Sequence, residues 1–359
     1  MDVGEFLLAL EQIEKDKGIS KELLFDAVEA ALVSAYKKNF SSAQNVRVEI
    51  DRETGKFRVF SQKTVVDEVE NSQEEIPLDE ARKINSVYQP GDVAELEVTP
   101  KDFGRIAAQA AKQVVIQKIR EAERDNIYQE FSNRETELIN GKVQHVEQGN
   151  VYIDLNKTEA ILPPSEQMDN DDYSIGNRLK LFLLEVQNTN KGPQVFVSRT
   201  HSGLVKRLFE SHVPEIFDGI VEIKSVSRDP GQRSKVAVWS DNEDVDPVGA
   251  CVGPRGMRVQ AIVTELNGEK MDIIRWNSDP ALFVSNALSP AKVNHVTIEE
   301  EAKTARITVP DNQLSLAIGK EGQNARLAAR LTGWKIDIKS ASQMDQGGEA
   351  AHEDEREQD

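Results

Sequence analysis

Two four-residue loops that begin and end with glycine have residue types and a spacing suited to binding phosphate. The first is Gly253, Pro254, Arg255 and Gly256, and the second is Gly319, Lys320, Glu321 and Gly322. A glycine lets another backbone approach closely, and a helix beginning at the second glycine directs its free amides and partial positive charge at an anion. We predict that each loop holds a phosphodiester backbone, with further positive charge from Arg258, Arg326 and Arg330. Glu321 opposes this, because a carboxylate repels phosphate.

One Gly-x-x-Gly loop is weak evidence, because most such pairs are turns or helix caps, but here the loop recurs within a longer repeat. Residues 252–256 align with residues 318–322, which lie 66 positions later, and residues 268–273 align with residues 333–338, 65 positions later. A duplicated structural unit explains two such matches better than chance.

The hydrophobic patterns predict the same order of elements, α-β-β-α-α-β, around each loop. The first copy is predicted at Ser202–His212, Ile220–Ser227, Lys235–Ser240, Val248–Val252, Gly256–Leu266 and Met271–Ile274. The second copy is predicted at Pro280–Leu288, Lys292–Ile298, Ala305–Val309, Gln313–Ile318, Gln323–Leu331 and Lys335–Ile338. In KH modules a GxxG loop between two helices clamps four nucleotides, so we predict two tandem KH modules that bind single-stranded RNA.

Five short strands separated by turn residues precede the repeat and predict a small closed β-barrel. They are Leu138–Val146, Asn150–Leu155, Glu159–Leu162, Arg178–Gln187 and Gln194–Arg199. The barrel resembles an S1 domain, an RNA-binding form of the OB-fold. Aromatic side chains on such barrels stack on bases, which makes Tyr152, Phe196 and His145 candidates. The pattern equally allows Tyr152 and Phe196 to be core residues.

The first 130 residues predict a separate α+β domain. Two amphipathic helices within residues 5–39 are followed by a hairpin within residues 46–66, a short helix at Leu78–Ile84, a strand at Val93–Val98 and a long helix at Lys101–Tyr128. We expect Ile106, Ala110, Val114 and Ile119 to face inward on the long helix.

Composition restricts the class of protein. The single cysteine, Cys251, excludes an internal disulfide and a cysteine-based metal site, and we expect it in the core. The five histidines lack metal-ligand spacing, so we expect no metal, no cofactor and no catalytic role. The chain has no apolar run long enough for a membrane span and no signal peptide, and this indicates a cytoplasmic protein.

Net charge is −18, yet residues 303–339 carry 7 basic and 3 acidic side chains, so a basic face can exist locally. The acidic, polar segment 346–359 is expected to be a disordered tail.

The order of these parts resembles the NusA family of bacterial transcription elongation, termination and antitermination factors, in its short form without appended acidic repeats. The most specific stretches are residues 159–163, 246–253 and 314–328. The resemblance implies a multi-domain α+β protein with an N-terminal RNA polymerase-binding domain (1–130), a five-stranded OB-type S1 barrel (137–201) and two type II KH domains (202–276 and 277–345).

The same resemblance implies a function and partners. The first domain docks on core RNA polymerase, the S1–KH array receives nascent single-stranded RNA, and other elongation or antitermination factors join them. Pausing, intrinsic termination and antitermination are modulated, and the chain is expected to be a monomer.

Two other functions remain open at this point. S1 and KH modules also accompany phosphorolytic nucleases, so the chain could be a component of an RNA-processing exonuclease. A ribosome-associated RNA-binding factor is the other alternative.

A Gly319→Asp change is expected to weaken RNA binding by at least about 1–3 kcal/mol, the scale of lost phosphate and stacking contacts.

Overall fold

The computed structural model describes residues 3–40 and 45–343. The predicted acidic tail at 346–359 lies outside the described residues. The chain divides into two compact units, residues 1–129 and 130–359, and each is described by itself.

Helices and a mixed sheet form the first unit. In its described part the elements are α1 (Val3–Lys17), α2 (Lys21–Phe40), β1 (Val46–Ile50), β2 (Phe57–Val66), β3 (Glu75–Pro77), α3 (Leu78–Ile84), β4 (Val93–Glu97) and α4 (Phe103–Ser132), whose last residues continue into the second unit. The central strand β2 pairs antiparallel with β1 and β4 and parallel with β3.

The core of the first unit lies between the long helices and one face of the sheet. Leu24, Val28 and Leu32 of α2 pack against Val48 and Ile50 of β1. On α4 the fully buried positions are Phe103, Ala107 and Ala111. The predicted elements are therefore present, and the predicted inward face of α4 is confirmed in part. Ala110, Val114 and Ile119 are partly buried and pack against the core as predicted, and Ile106 is also partly buried.

The second unit begins with a closed five-stranded barrel, as predicted. Its strands are β5 (Leu138–Glu147), β6 (Asn150–Asp154), β7 (Glu159–Leu162), β8 (Arg178–Thr189) and β9 (Gly192–Ser198). They follow the order β5-β6-β7-β9-β8, and β8 closes on β5. Gly141 permits the interior to pack closely, because a Cβ there would lie 2.1 Å from a methyl carbon of Ile153.

Two α/β modules follow the barrel. The first module contains α5 (Ser202–His212), α6 (Pro214–Phe217), β10 (Glu222–Asp229), β11 (Arg233–Trp239), α7 (Pro247–Val252), α8 (Met257–Glu265) and β12 (Lys270–Arg275). The second module contains α9 (Pro280–Ala287), β13 (His295–Glu299), β14 (Thr304–Val309), α10 (Leu314–Ile318), α11 (Gln323–Thr332) and β15 (Lys335–Ser340).

The two modules share one sheet topology. In each, the first two strands pair antiparallel and the third lies parallel to the second. The predicted order α-β-β-α-α-β is thus confirmed for both copies, and the short helix α6 is an addition that the sequence pattern did not predict.

Buried polar contacts join the barrel to the first module. Arg199, the residue directly after β9, is fully buried and makes a bidentate contact with Asp171, at 2.6 and 2.9 Å. It also donates to the backbone carbonyl of Glu265 at 3.0 Å. Arg228 of β10 is held by Glu269 and donates to the carbonyl of His201 at 2.9 Å. Because a buried charge is costly to leave unpaired, these contacts fix the barrel against the module.

The two modules share an apolar core. Ala237 and Ile274 of the first module pack with Phe283, Val284 and neighbouring residues of the second. Lys235 of β11 is fully buried, and its ammonium reaches Asp272 at 3.0 Å and the carbonyl of Ser289 at 2.7 Å. The barrel and both modules therefore form one packed array, which the sequence did not predict.

Candidate nucleic-acid interface

The two GxxG loops have the same backbone conformation. Gly253 and Gly319 have φ/ψ of 73°/174° and 78°/170°. Arg255 and Glu321 have φ/ψ of 54°/23° and 53°/27°. Each loop ends in a left-handed glycine from which the next helix, α8 or α11, begins. Loops of different sequence thus present one shared geometry.

The first glycine of each loop has a structural role inside its own module. A Cβ on Gly319 would lie 2.8 Å from the backbone nitrogen of Asn324, and one on Gly253 would lie 2.6 Å from the side chain of Arg258. Both glycines also have positive φ, which side chains rarely adopt. The first glycine therefore lets the loop pack against the helix that follows it.

The second glycine faces open space. A Cβ on Gly256 or Gly322 would meet nothing within 4 Å. Both have left-handed φ, at 75° and 73°, and both precede the first residue of a helix. An approaching backbone would find this side of the loop unobstructed, next to the free amides of the helix N-terminus.

A side chain at equivalent positions supports each loop from behind. Arg258 donates to the carbonyl of Ala250 at 2.6 Å and to Glu215 at 2.8 Å. Asn324 is buried, and its amide donates to the carbonyls of Ala317 and Leu288, both at 3.0 Å. Both satisfy carbonyl groups at the end of the preceding helix. Arg258, which the sequence suggested as a free cation for RNA, is thus already engaged in holding its loop.

The other predicted residues of the loops lie at the surface. Those that are exposed are Pro254, Arg255, Lys320, Glu321, Arg326 and Arg330. Arg326 lies 3.9 Å from Asp229, and its Nη1 is 3.5 Å from the carbonyl of Glu321, so it is only loosely held. These side chains can reorient toward a ligand.

A groove runs between the first module and the second GxxG loop. Its walls include the β10–β11 turn at Gly231, the exposed Lys270, and Gly319 with Lys320. Its lining residues contain three basic side chains and no carboxylate. One of the three, Arg233, is paired with Asp272 at 2.7 Å, whereas Lys270 and Lys320 make no ion pair with a described residue. In a chain of net charge −18 the groove is therefore a local concentration of positive charge, which favours an anion.

The barrel presents a row of side chains across four strands. His145 pairs with Tyr152, Tyr152 with Ile161, and Ile161 with Phe196 in adjacent strands. Tyr152 and Phe196 alternate with fully buried neighbours and are themselves only partly buried, so they face outward. Both rings therefore lie at the surface of the barrel and not in its core. The rings of His145 and Tyr152 stack with centroids 4.4 Å apart and planes 6° apart.

Cys251 lies in the core of the first module, as expected. Burial raises the pKa of its thiol to about 12, and the nearby Glu215 carboxylate acts in the same direction. Among the described residues, no group of three or more His, Cys, Asp or Glu side chains is placed to hold a metal ion. The described helices include none long and apolar enough to cross a bilayer.

Family comparisons cover most of the chain. Residues 5–125 match the NusA N-terminal domain, and residues 134–198 match the S1 RNA-binding domain. Residues 199–276 match the NusA-like first KH domain, and residues 280–346 match the NusA-like second KH domain.

Several full-length proteins are similar. The transcription termination/antitermination protein NusA of Halalkalibacterium halodurans is 59% identical over 96% of this chain and 90% of its own length. The NusA protein of Bacillus subtilis is 61% identical over 94% of this chain and 91% of its own length. The solution structure of the N-terminal domain of B. subtilis NusA is 62% identical and covers 34% of this chain and 99% of that chain, with a TM-score of 0.32.

An S1-type barrel packed on two KH modules defines a multi-domain protein of the RNA-binding class. Together with the relatives, it places the chain in the NusA family of transcription termination/antitermination proteins. Neither the nuclease nor the ribosome-associated alternative is favoured by these matches.

Proposed function

We propose that this chain links RNA polymerase to the nascent transcript and thereby modulates pausing, intrinsic termination and, with other transcription factors, antitermination. Residues 1–130 would bind core RNA polymerase. The S1 barrel (137–201) and the KH domains (202–276 and 277–345) would bind single-stranded RNA. The protein would act in the cytoplasm as a non-catalytic monomer without a cofactor.

The observation that carries the RNA-binding part is the shared geometry of the two GxxG loops. Each offers an unobstructed second glycine at the start of a helix, where free amides favour phosphate. A KH loop engages about four nucleotides, so two loops in one packed array suit an extended single strand. The groove with Lys270 and Lys320 lies between the first module and the second loop and would carry the intervening phosphates.

The individual residues have distinct proposed roles. Gly256 and Gly322 form the contact surface for the RNA backbone, and Arg255, Lys320, Arg326 and Arg330 add positive charge around it. Gly253, Gly319 and Arg258 position the loops rather than touch RNA. Tyr152 and Phe196 offer stacking surfaces for bases on the barrel.

The first unit is better suited to a protein partner than to RNA. Residues 1–130 carry 18 basic and 26 acidic side chains, a net charge of −8 that repels phosphate. Its relatives carry the name of transcription termination/antitermination proteins, and such a role requires contact with the transcription machinery. We therefore assign polymerase binding to this unit.

The polymerase assignment can be tested by retention of purified core RNA polymerase on immobilised protein. The full chain, residues 1–130 and residues 131–345 would be compared. Retention by the full chain and by residues 1–130 is expected. Retention by neither would restrict the function to RNA binding with another partner.

A further inference from the structure

The two GxxG loops have the same backbone conformation but carry opposite charges at their third position. We infer that Glu321 makes the second loop a weak and readily released phosphate site, whereas Arg255 makes the first loop the anchor of the array. This inference rests on the proposed RNA-binding function and assigns unequal parts to the two KH modules.

The third positions of the two loops differ in charge but have the same backbone conformation. Arg255 and Glu321 occupy the third position of their loops with φ within 1° and ψ within 4° of each other. Both side chains are exposed, and each directly precedes the open second glycine. Pro254 and Arg255 give the first loop a net charge of +1, whereas Lys320 and Glu321 cancel in the second. The surface offered to a phosphodiester is therefore equal in shape and different in charge.

The surroundings of the loops increase this difference. Beside the first loop, the Glu215 carboxylate is neutralised by Arg258 at 2.8 Å. Beside the second loop, Asp229 accepts a hydrogen bond of 2.6 Å from the neutral amide of Gln323. The nearest cation, Arg326, lies 3.9 Å from that carboxylate. In the described residues, the Glu321 carboxylate itself makes no hydrogen bond or ion pair, so its charge is not locally compensated.

Electrostatics then predicts how the array holds RNA. Contacts with phosphate carry no base information, so repulsion by Glu321 weakens every sequence by a similar factor. The strand stays attached through the first loop while the second loop releases and rebinds it. The time that RNA stays bound at the second loop then depends on contacts with its bases. Glu321 causes this dependence because it weakens the contact with phosphate.

The experiment measures binding of a fluorescein-labelled oligouridine and a mixed-sequence RNA, each of about 12 nucleotides so that both loops can be occupied. Full-length wild type is compared with E321Q, E321R and R255E. For one charge about 6 Å from a phosphate in water, E321Q should tighten binding about threefold and E321R about tenfold. R255E should weaken RNA binding. For E321R, the slope of the logarithm of the binding constant against the logarithm of salt concentration should steepen by about 0.7 per added phosphate contact.

Glu301→Arg supplies the matched control, because it makes the same change of charge at an exposed turn of the same module. That turn adjoins the start of β15, where Lys335 donates to the carbonyl of Lys303 at 2.9 Å. It lies beyond the end of α11, a helix of 10 residues or about 15 Å, whereas the loop lies at its beginning.

Tighter binding of both RNAs by E321R, with little change for E301R, would support the inference. Unchanged or weaker RNA binding by E321R, or an equal gain in affinity by E301R, would overturn the inference. The proposed RNA-binding function would still stand in that case if the wild type bound RNA and R255E lost binding. Absence of RNA binding by the wild type would overturn the proposed function and this inference together.

Discussion

The ammonium of Lys235 donates a hydrogen bond of 2.7 Å to the backbone carbonyl of Ser289, which ties the central strand of the first module to the turn after α9. The preceding carbonyl, Leu288, accepts from Asn324, the side chain that supports the second GxxG loop. A short chain of contacts thus runs from the first KH sheet to the second GxxG loop.

Lys235 also contacts the Asp272 carboxylate at 3.0 Å, and the surroundings of Asp272 favour its ionised form. Burial acts to raise the pKa of Asp272, but hydrogen bonds from Arg233 and the charge of Lys235 outweigh it and hold that pKa below its usual range. Burial lowers the pKa of Lys235, and the Asp272 carboxylate opposes this shift. Lys235 therefore depends on Asp272 to stay charged in the interior.

Replacing Lys235 with Met should loosen the two modules. The substitution removes the hydrogen bond to Ser289 and one partner of a buried ion pair. Such a loss lowers the free energy of unfolding by about 3–5 kcal/mol, and here the loss is smaller because Arg233 still pairs with Asp272. Urea unfolding should show this loss. Affinity should fall more for an RNA long enough to occupy both loops than for one of about four nucleotides. Lys292→Met, at an exposed lysine of the neighbouring segment, is the control. Equal stability of the two variants would refute the bridging role.

The two glycines of the second loop should respond differently to alanine. Gly319→Ala combines positive φ with a contact of 2.8 Å to the backbone of Asn324, and we expect a loss of at least about 2 kcal/mol in the free energy of unfolding. At Gly322 a Cβ would meet open space and the only cost is the strained φ, so we expect Gly322→Ala to lower the free energy of unfolding by about 1 kcal/mol. Chemical denaturation measures both. A larger loss for Gly322→Ala would contradict the assigned packing.

This difference changes the choice of variant for testing RNA binding. The sequence suggested Gly319→Asp, but the structure shows that a side chain there would disturb the fold as well as any ligand contact. Gly322→Asp should affect RNA binding with less disturbance of the fold, because aspartate tolerates the left-handed region and is favourable at a helix N-terminus.

The outward aromatic row on the barrel predicts a separable RNA contact. Tyr152→Ala and Phe196→Ala should each weaken binding by about 1–3 kcal/mol if a base stacks there, since base–aromatic stacking has that scale. Because neither ring is in the barrel core, thermal unfolding should change little. Ile175→Ala, at a residue 76% exposed on a barrel loop, provides the control for surface truncation. Unchanged affinity in both aromatic variants would exclude the row from the RNA path.

Cys251 should be unreactive in the folded protein. The shift of its pKa from 9.0 to about 12 lowers the thiolate fraction at pH 8 by about a thousandfold, and full burial further blocks access. Iodoacetamide labelling followed by mass spectrometry should show slow modification of the native chain and rapid modification in denaturant. Rapid native labelling would mean that α7 opens readily.

Regular periodicity made much of the fold predictable from the sequence. The alternation in the barrel strands and the repeated glycine loops predicted the closed barrel and the two α-β-β-α-α-β modules, and these are present. On α4 the pattern predicted Ala110, Val114 and Ile119, which pack against the core, but it did not predict the fully buried Ala107 and Ala111, small residues that give a weak hydrophobic signal. The short parallel strand β3 has too few residues for a recognisable period.

Contacts between parts distant in the chain could not be predicted. Lys235 lies within a strand pattern that allows a solvent-facing lysine, but it is fully buried and donates to the carbonyl of Ser289 in the second module. The engagement of Arg258 with Glu215 depends on α6, which no pattern indicated. At the candidate site, the sequence identified the loops and their charges, whereas the different roles of the first and second glycines required the three-dimensional packing.

The most direct test of the central claim is the affinity of the full chain for single-stranded RNA when both loops carry Gly256→Asp and Gly322→Asp. The matched control carries Asn at the same two positions, which keeps the size and left-handed tolerance of the side chain without its charge. Fluorescence anisotropy should show a large loss for the aspartate variant and a smaller one for the control, with a shallower salt dependence in the former. Unaltered RNA affinity in a folded aspartate variant would contradict RNA binding through the two GxxG loops.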